Sequence, residues 1–287
     1  LNESELQSSI EHQAEALRYY TARPAWQWFD LKEIWRFREL IWMFALRDLK
    51  VRYRQTIVGV LWAILQPLVS VAVFGVLFAV LKGKPTTGET PYAVTSLCAL
   101  LPWQLFANSL TASTQSLVAN QNLITKVYFP RVSLPISAII GNLVDFGIGF
   151  VILLILLTVY SIVPTVAILL LPLMVLLVIV TSLAFSLWFS ALNAIYRDVQ
   201  YIVPFIIQIG VMISPVYYET AIIPKGWLWL YSLNPMVGVL EGFRWALLGL
   251  QPPSPWHILL SCVCILLVLA GGAFYFRRME RFFADRI

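Results

Sequence analysis

The chain has 287 residues, of which 60% are hydrophobic and only 12% charged. That excludes an ordinary soluble domain, in which about a quarter of residues are charged, and points to a membrane protein. The net charge of +5 does not point to nucleic acid, because the Lys and Arg residues flank apolar runs, as membrane topology requires.

Residues 1–30 are polar and acidic and lack the apolar core of a cleavable signal peptide, so they are read as a cytoplasmic segment. Next, Leu31, Ile34, Trp35, Ile41, Trp42, Ala45, Leu46 and Leu49 recur at helical spacing. Lys32, Arg36, Glu39, Arg47 and Lys50 fall largely on the other side. This predicts an amphipathic helix over 31–50 lying in the cytoplasmic interface. A six-span membrane domain over 51–287 follows.

A span needs about 20 apolar residues. The candidates are Ile57–Leu81, Tyr92–Ala119, Val132–Val163, Thr165–Ile195, Val199–Val216 and Trp256–Phe276. The second is uncharged but dotted with Gln, Asn, Ser and Thr, which suits a helix facing protein or water. The fifth is short and interrupted by Pro204, Gln208 and Gly210.

Residues 217–255 are too broken to span, yet they carry Trp227, Trp229, Tyr231, Phe243 and Trp245. Trp and Tyr concentrate at the headgroup level, and irregular backbone at membrane depth needs cover from protein or water. Two short helices, around 225–233 and 236–249, are therefore predicted to be partly re-entrant from the outer face. The fold class is all-α and polytopic. Alternating crossings put sixteen of the twenty Lys and Arg residues on the side of both termini, which places both in the cytoplasm.

The chemistry that is absent narrows the function. No G-x-x-x-x-G-K-[ST] loop occurs, so ATP is not bound here in that way. His12 and His257 lie far apart without a carboxylate cluster, and Cys98, Cys262 and Cys264 follow no zinc or disulfide pattern. No catalytic or metal residue is assigned. Asp145 is the one ionisable residue deep in an unambiguous span. It is either part of a transport path or a structural partner for a neighbouring helix, with Asn142 one turn away.

RDLKVRYRQTIVGVLWAILQPL (47–68), LLPWQLFANSL, SLVANQNLITKVYFPR, LVDFGIGF, NAIYRDV, SPVYY and LNPMVGVLEGFRWALLG occur in that order. This ordered set resembles the permease subunits of ATP-binding-cassette exporters of O-antigen, capsule and teichoic acid. The resemblance covers nearly everything from Leu31 onward. It implies a homodimer paired with two separate ATPase subunits, which hold the ATP and magnesium, so no cofactor is expected on this chain. It also implies a polysaccharide substrate on a lipid carrier, and a bacterial inner (plasma) membrane location.

A sugar chain offers hydroxyls for hydrogen bonds and C–H faces for aromatic stacking. Trp62, Gln66, Trp103, Gln104, Phe106, Asn108 and Thr111, with Asp145, are the candidate path residues; the alternative is that they hold helices together. Asn122, Leu123, Ile124, Lys126, Val127 and Tyr128 are the candidate ATPase-coupling residues, with Leu123, Ile124 and Val127 as an apolar docking face. Arg197 in the YRD turn is a second contact. For Lys126 and Arg131 the alternative is a purely topological charge. Tyr217, Tyr218, Trp227, Trp229, Tyr231, Asn234 and Pro235 are the candidate outer gate.

Other readings of the sequence are a similar permease for a lipid or drug, a proton-coupled carrier, or a membrane glycosyltransferase. A carrier would usually show more intramembrane charge, and a glycosyltransferase would need grouped acidic residues at an aqueous face.

Overall fold

One helix, Tyr92–Ala119, organises the packing of the others. The computed structural model describes residues 31–54, 91–250, 252–280 and 282–283, with scattered positions between 61 and 80. Residues 1–30 and 83–90, and most of the predicted first span, lie outside the described residues. The described positions within that span are helical.

Among the described residues every regular element is a helix. In chain order these are α1 (Leu31–Arg36), α2 (Arg38–Arg54), α3 (Tyr92–Ala119), α4 (Gln121–Lys126) and α5 (Ser133–Val159). A 3₁₀ turn, Val166–Leu170, leads into α6 (Leu171–Ile195). Then come α7 (Val199–Ile213), α8 (Leu228–Tyr231), α9 (Pro235–Leu248) and α10 (Pro255–Glu280). Four of these segments, α3, α5, Val166–Ile195 and α10, are long and apolar enough to cross a membrane, and α7 is a shorter apolar helix.

The predicted interfacial helix is two helices, with a turn at Phe37, and it continues to Arg54 rather than ending at Lys50. Ile41, Phe44 and Ala45 are buried, whereas Trp35 and Trp42 stand out at 70% and 56% exposure. The two tryptophans therefore do not share the protein-facing side with Ile41 and Ala45.

Helix α3 has the lowest mean hydropathy of the four spans, 1.2, yet 83% of its most apolar stretch is buried; α10, at 2.5, is 17% buried. The least oily helix sits at the centre, where several of its small polar residues find protein partners. Ser113 donates to the Pro135 carbonyl at 3.1 Å and Thr114 to that of Leu110 at 2.7 Å. Asn193 donates to the Thr114 carbonyl at 2.9 Å, tying α6 to α3. The outer helices keep apolar faces for lipid.

Helix α10 closes on α6 through small residues. A Cβ at Gly272 would stand 2.8 Å from the Ala184 carbonyl oxygen. Beside it the Trp188 indole donates to the Val268 carbonyl at 2.9 Å, and its ring stacks on Tyr275 at 5.1 Å.

Residues 217–255 are broken as predicted. A 3₁₀ turn (Lys225–Trp227) runs into α8, and then α9 begins at Pro235. The ends of α9 are specified locally. The Asn234 side chain accepts from the Met236 amide, Pro235 sits at the first turn, and Gly249 ends the helix in the left-handed region at φ 65°.

Candidate functional site

Helix α3 sorts the candidate path residues onto separate faces. Gln104, Asn108, Thr111 and Gln115 are spaced four, three and four apart, which aligns them along one side of a helix. Asn108 and Gln115 are exposed, and Gln104 and Thr111 half-buried, on a helix otherwise nearly all enclosed. Thr111 returns its hydroxyl to the Ala107 carbonyl at 2.9 Å. Trp103 and Phe106 point elsewhere and are buried, with ring centroids 5.4 Å apart. Gln66 is exposed, and Trp62 lies outside the described residues.

Asp145 does not stand alone on α5. Arg52 of α2 donates to its carboxylate and, at 3.0 Å, to the side-chain amide oxygen of Asn142. The Tyr53 hydroxyl donates to the other carboxylate oxygen. Burial, and then that hydrogen bond, push the Tyr53 phenol up to about 12. The cluster fastens the end of α2 to α5.

The loop holding α4 packs against α1 and α2. Phe129 meets Phe44 edge-on at 5.6 Å, and the Tyr128 hydroxyl reaches Glu33 at 3.4 Å. Arg131 donates to the Glu280 carbonyl and backbone-bonds its carboxylate at 3.3 Å, while Arg277 holds the other carboxylate oxygen at 3.1 Å. Leu123, Ile124 and Val127 do not form a single outward face: Ile124 is 5% exposed, Leu123 half-buried and Val127 56% exposed. A helix of six residues turns Ile124 inward, leaving Asn122, Lys126, Val127 and Tyr128 exposed. Arg197 is also exposed, in the turn between α6 and α7.

At the opposite end, Tyr218 and Tyr231 share a hydroxyl–hydroxyl bond at 3.0 Å, and Tyr218 also donates to the Ile213 carbonyl at 2.9 Å. Asn234 donates to Ser214 at 2.9 Å. Trp227 and Trp229 are exposed, and Tyr217 and Pro235 half-buried.

Residues 39–248 match the family model of ABC-2 type transporters. The chain belongs to the ABC-2 type transporter family. It is similar to the O-antigen export system permease protein RfbA of Myxococcus xanthus, at 28% identity over 88% of this chain and 97% of that protein. RfbA of Klebsiella pneumoniae is 28% identical over 72% of this chain and 79% of its own length. The polysialic acid transport protein KpsM of Escherichia coli is 25% identical over 71% and 79%. As an ABC-2 family member the chain is a multi-pass transport subunit.

Two features of this ABC-2 subunit escape a reading of the sequence. Arg244 is one of the four Lys and Arg residues that alternating crossings place on the outer side, but it is 5% exposed. Its guanidinium donates to the carbonyls of Val216 at 2.9 Å, Tyr218 at 3.0 Å and Thr95 at 3.4 Å. It thereby pins the irregular 214–218 segment to α3 and α9. The second is the Arg52–Tyr53 grip on Asp145, whose partners lie about ninety residues apart. The one cue to Arg244 was a cation inside an apolar helix.

Proposed function

We propose that this chain is the membrane half of an ATP-driven exporter of a polysaccharide, of the O-antigen or capsule class, joined to a lipid. The observation that carries the reading is the uncharged amide and hydroxyl stripe Gln104–Asn108–Thr111–Gln115 on the central span. Amides and hydroxyls exposed at membrane depth need water, protein or a polar substrate. Without fixed charge they suit a hydroxyl-rich chain that must slide. The names of the similar RfbA and KpsM proteins agree with a polysaccharide substrate, although polysialic acid is an acid and so does not favour a neutral one.

Two copies pair with two ATPase subunits in a bacterial inner membrane, with both termini in the cytoplasm. ATP and magnesium reside on the ATPase. Asn122, Lys126, Val127, Tyr128 and Arg197 receive its motion, and residues 217–249 close the outer end of the path between transport events.

The test is removal of the chain from its own cells followed by return of variants. Loss should abolish surface glycan and leave it inside. Asn108→Leu together with Gln104→Leu should return a subunit that assembles with the ATPase but exports less than about a tenth of the normal glycan. Normal surface glycan in cells lacking the chain would end this reading. A deficit in drug resistance alone would move it to drug export.

A further inference from the structure

A cavity of about 250 Å³ lies among α3, α6, α7 and the start of α9. Its walls are Trp103, Phe106, Phe185, Ile206, Gly210 and Met236, with Phe106 meeting Phe185 edge-on at 5.6 Å. Ile206 and Ile213, 39% and 54% exposed, lie at its mouth, whereas Trp103, Phe106 and Met236 are buried.

Ser214 and Asn234 also line it, but they are engaged with each other at 2.9 Å, and the Asn234 side-chain oxygen holds the Met236 amide at 3.0 Å. A sugar ring placed there would leave hydroxyls unpaired against aromatic and aliphatic walls, which is unfavourable. A hydrocarbon chain loses nothing of that kind. An apolar cavity of roughly 150 Å³ already accepts benzene, so this one has room for a run of chain carbons.

The cavity and the polar stripe belong to the same helix. At 3.6 residues per turn, Trp103, Phe106 and Leu110 point roughly 140° away from Gln104, Asn108, Thr111 and Gln115. Helix α3 thus shows an apolar pocket on one side and a polar track on another, the two halves of an amphiphile. We propose that this cavity binds the hydrocarbon tail of the lipid to which the exported sugar chain is joined. This rests on the exporter reading above. Gly210 sets the width of the site: a Cβ there would stand 2.8 Å from the Trp103 ring.

The experiment uses the intact transporter with its ATPase in vesicles of phosphatidylethanolamine and phosphatidylglycerol. A photoreactive benzoylphenylalanine replaces Ile213, and the probe is a radiolabelled polyisoprenyl phosphate. Light should attach the probe to the chain, an unlabelled polyisoprenyl phosphate should compete, and a free oligosaccharide should not. Gly210→Leu should cut attachment at least tenfold. If Gly210→Leu does not fold, Ile206→Trp at the mouth serves the same purpose. Attachment of phospholipid alone, a cross-link to a second copy alone, or attachment unchanged in a folded variant would each overturn the inference. Those results leave the exporter reading standing if surface glycan still depends on the chain. Loss of that dependence would remove the exporter reading itself.

Discussion

Arg244 shows how much one side chain can hold at the outer end. A buried guanidinium with carbonyl partners is tolerated because its planar fork reaches acceptors on separate segments, which the compact ammonium of a lysine cannot span in the same way. Arg244→Lys should leave the Val216 or Tyr218 carbonyl unpaired and cost about 2 kcal/mol. The expected readout is a lower melting temperature in detergent and faster proteolysis between residues 216 and 224; wild-type values for both would refute the pinning role. Asp145 separates differently. The Arg52–Asp145 pair is partly exposed, 42% and 23% at the two side chains, so its Coulomb energy is worth about 1 kcal/mol or less. If Asp145 serves only as an anchor for α2, Arg52→Gln combined with Asp145→Asn keeps amide hydrogen bonds and should export nearly normally. If it lines the path, that pair of changes stays defective. Tyr53 adds a pH signature. Its folded pKa of about 12 lies above the ordinary 10.0, so its contribution is complete below pH 10 and fades as pH rises through 12. Tyr53→Phe should remove that alkaline loss from the melting profile.

At the scale of elements, the extent of the spans was legible because apolar periodicity and length decide it. The run Tyr92–Ala119 read from the sequence is the helix observed. The direction of side chains was less legible. Ile124 and Val127 are three residues apart, close enough in a longer helix to share a face, but α4 lasts six residues and Val127 is already extended. Packing of α4 on its own subunit then claims Ile124. Two substitutions separate the roles. Val127→Asp should lower co-purification of the ATPase several-fold with normal folded yield, since it alters only an exposed side chain. Ile124→Asp should instead lower folded yield, because it buries a carboxylate without a partner. Equal ATPase binding by Val127→Asp and wild type would count against docking at this loop. The long-range pairs, Arg52 with Asp145 and Arg244 with Thr95, had no sequence signal, because nothing local specifies a partner ninety or more residues away.

For the whole molecule, the grouping of loops at the two ends can be argued without counting charges. Arg131 is joined to Glu280, Phe129 to Phe44 and Tyr128 to Glu33, so the 120–131 loop, α1–α2 and the end of α10 occupy one end of the bundle. Arg244 joins the start of α3 to the 216–218 segment, and a Cβ at Gly249 would touch Thr165, which gathers residues 91–95, 160–165 and 214–249 at the other. Contacts therefore divide these loops into the same two groups as alternating crossings do. The charge bias then needs only to choose which group faces the cytoplasm, and the first group holds eleven Lys and Arg residues against two in the second. In a background with Cys98, Cys262 and Cys264 replaced by serine, a cysteine at Ser254 should react with an impermeant maleimide added to intact cells. A cysteine at Asn122, exposed on α4, should react only after the membrane is opened. Equal labelling of both from outside would contradict the grouping of loops, because it would place α4 and the α9–α10 turn on one side. Reversed labelling would keep the grouping and invert the orientation, moving the 217–255 segment to the cytoplasmic face.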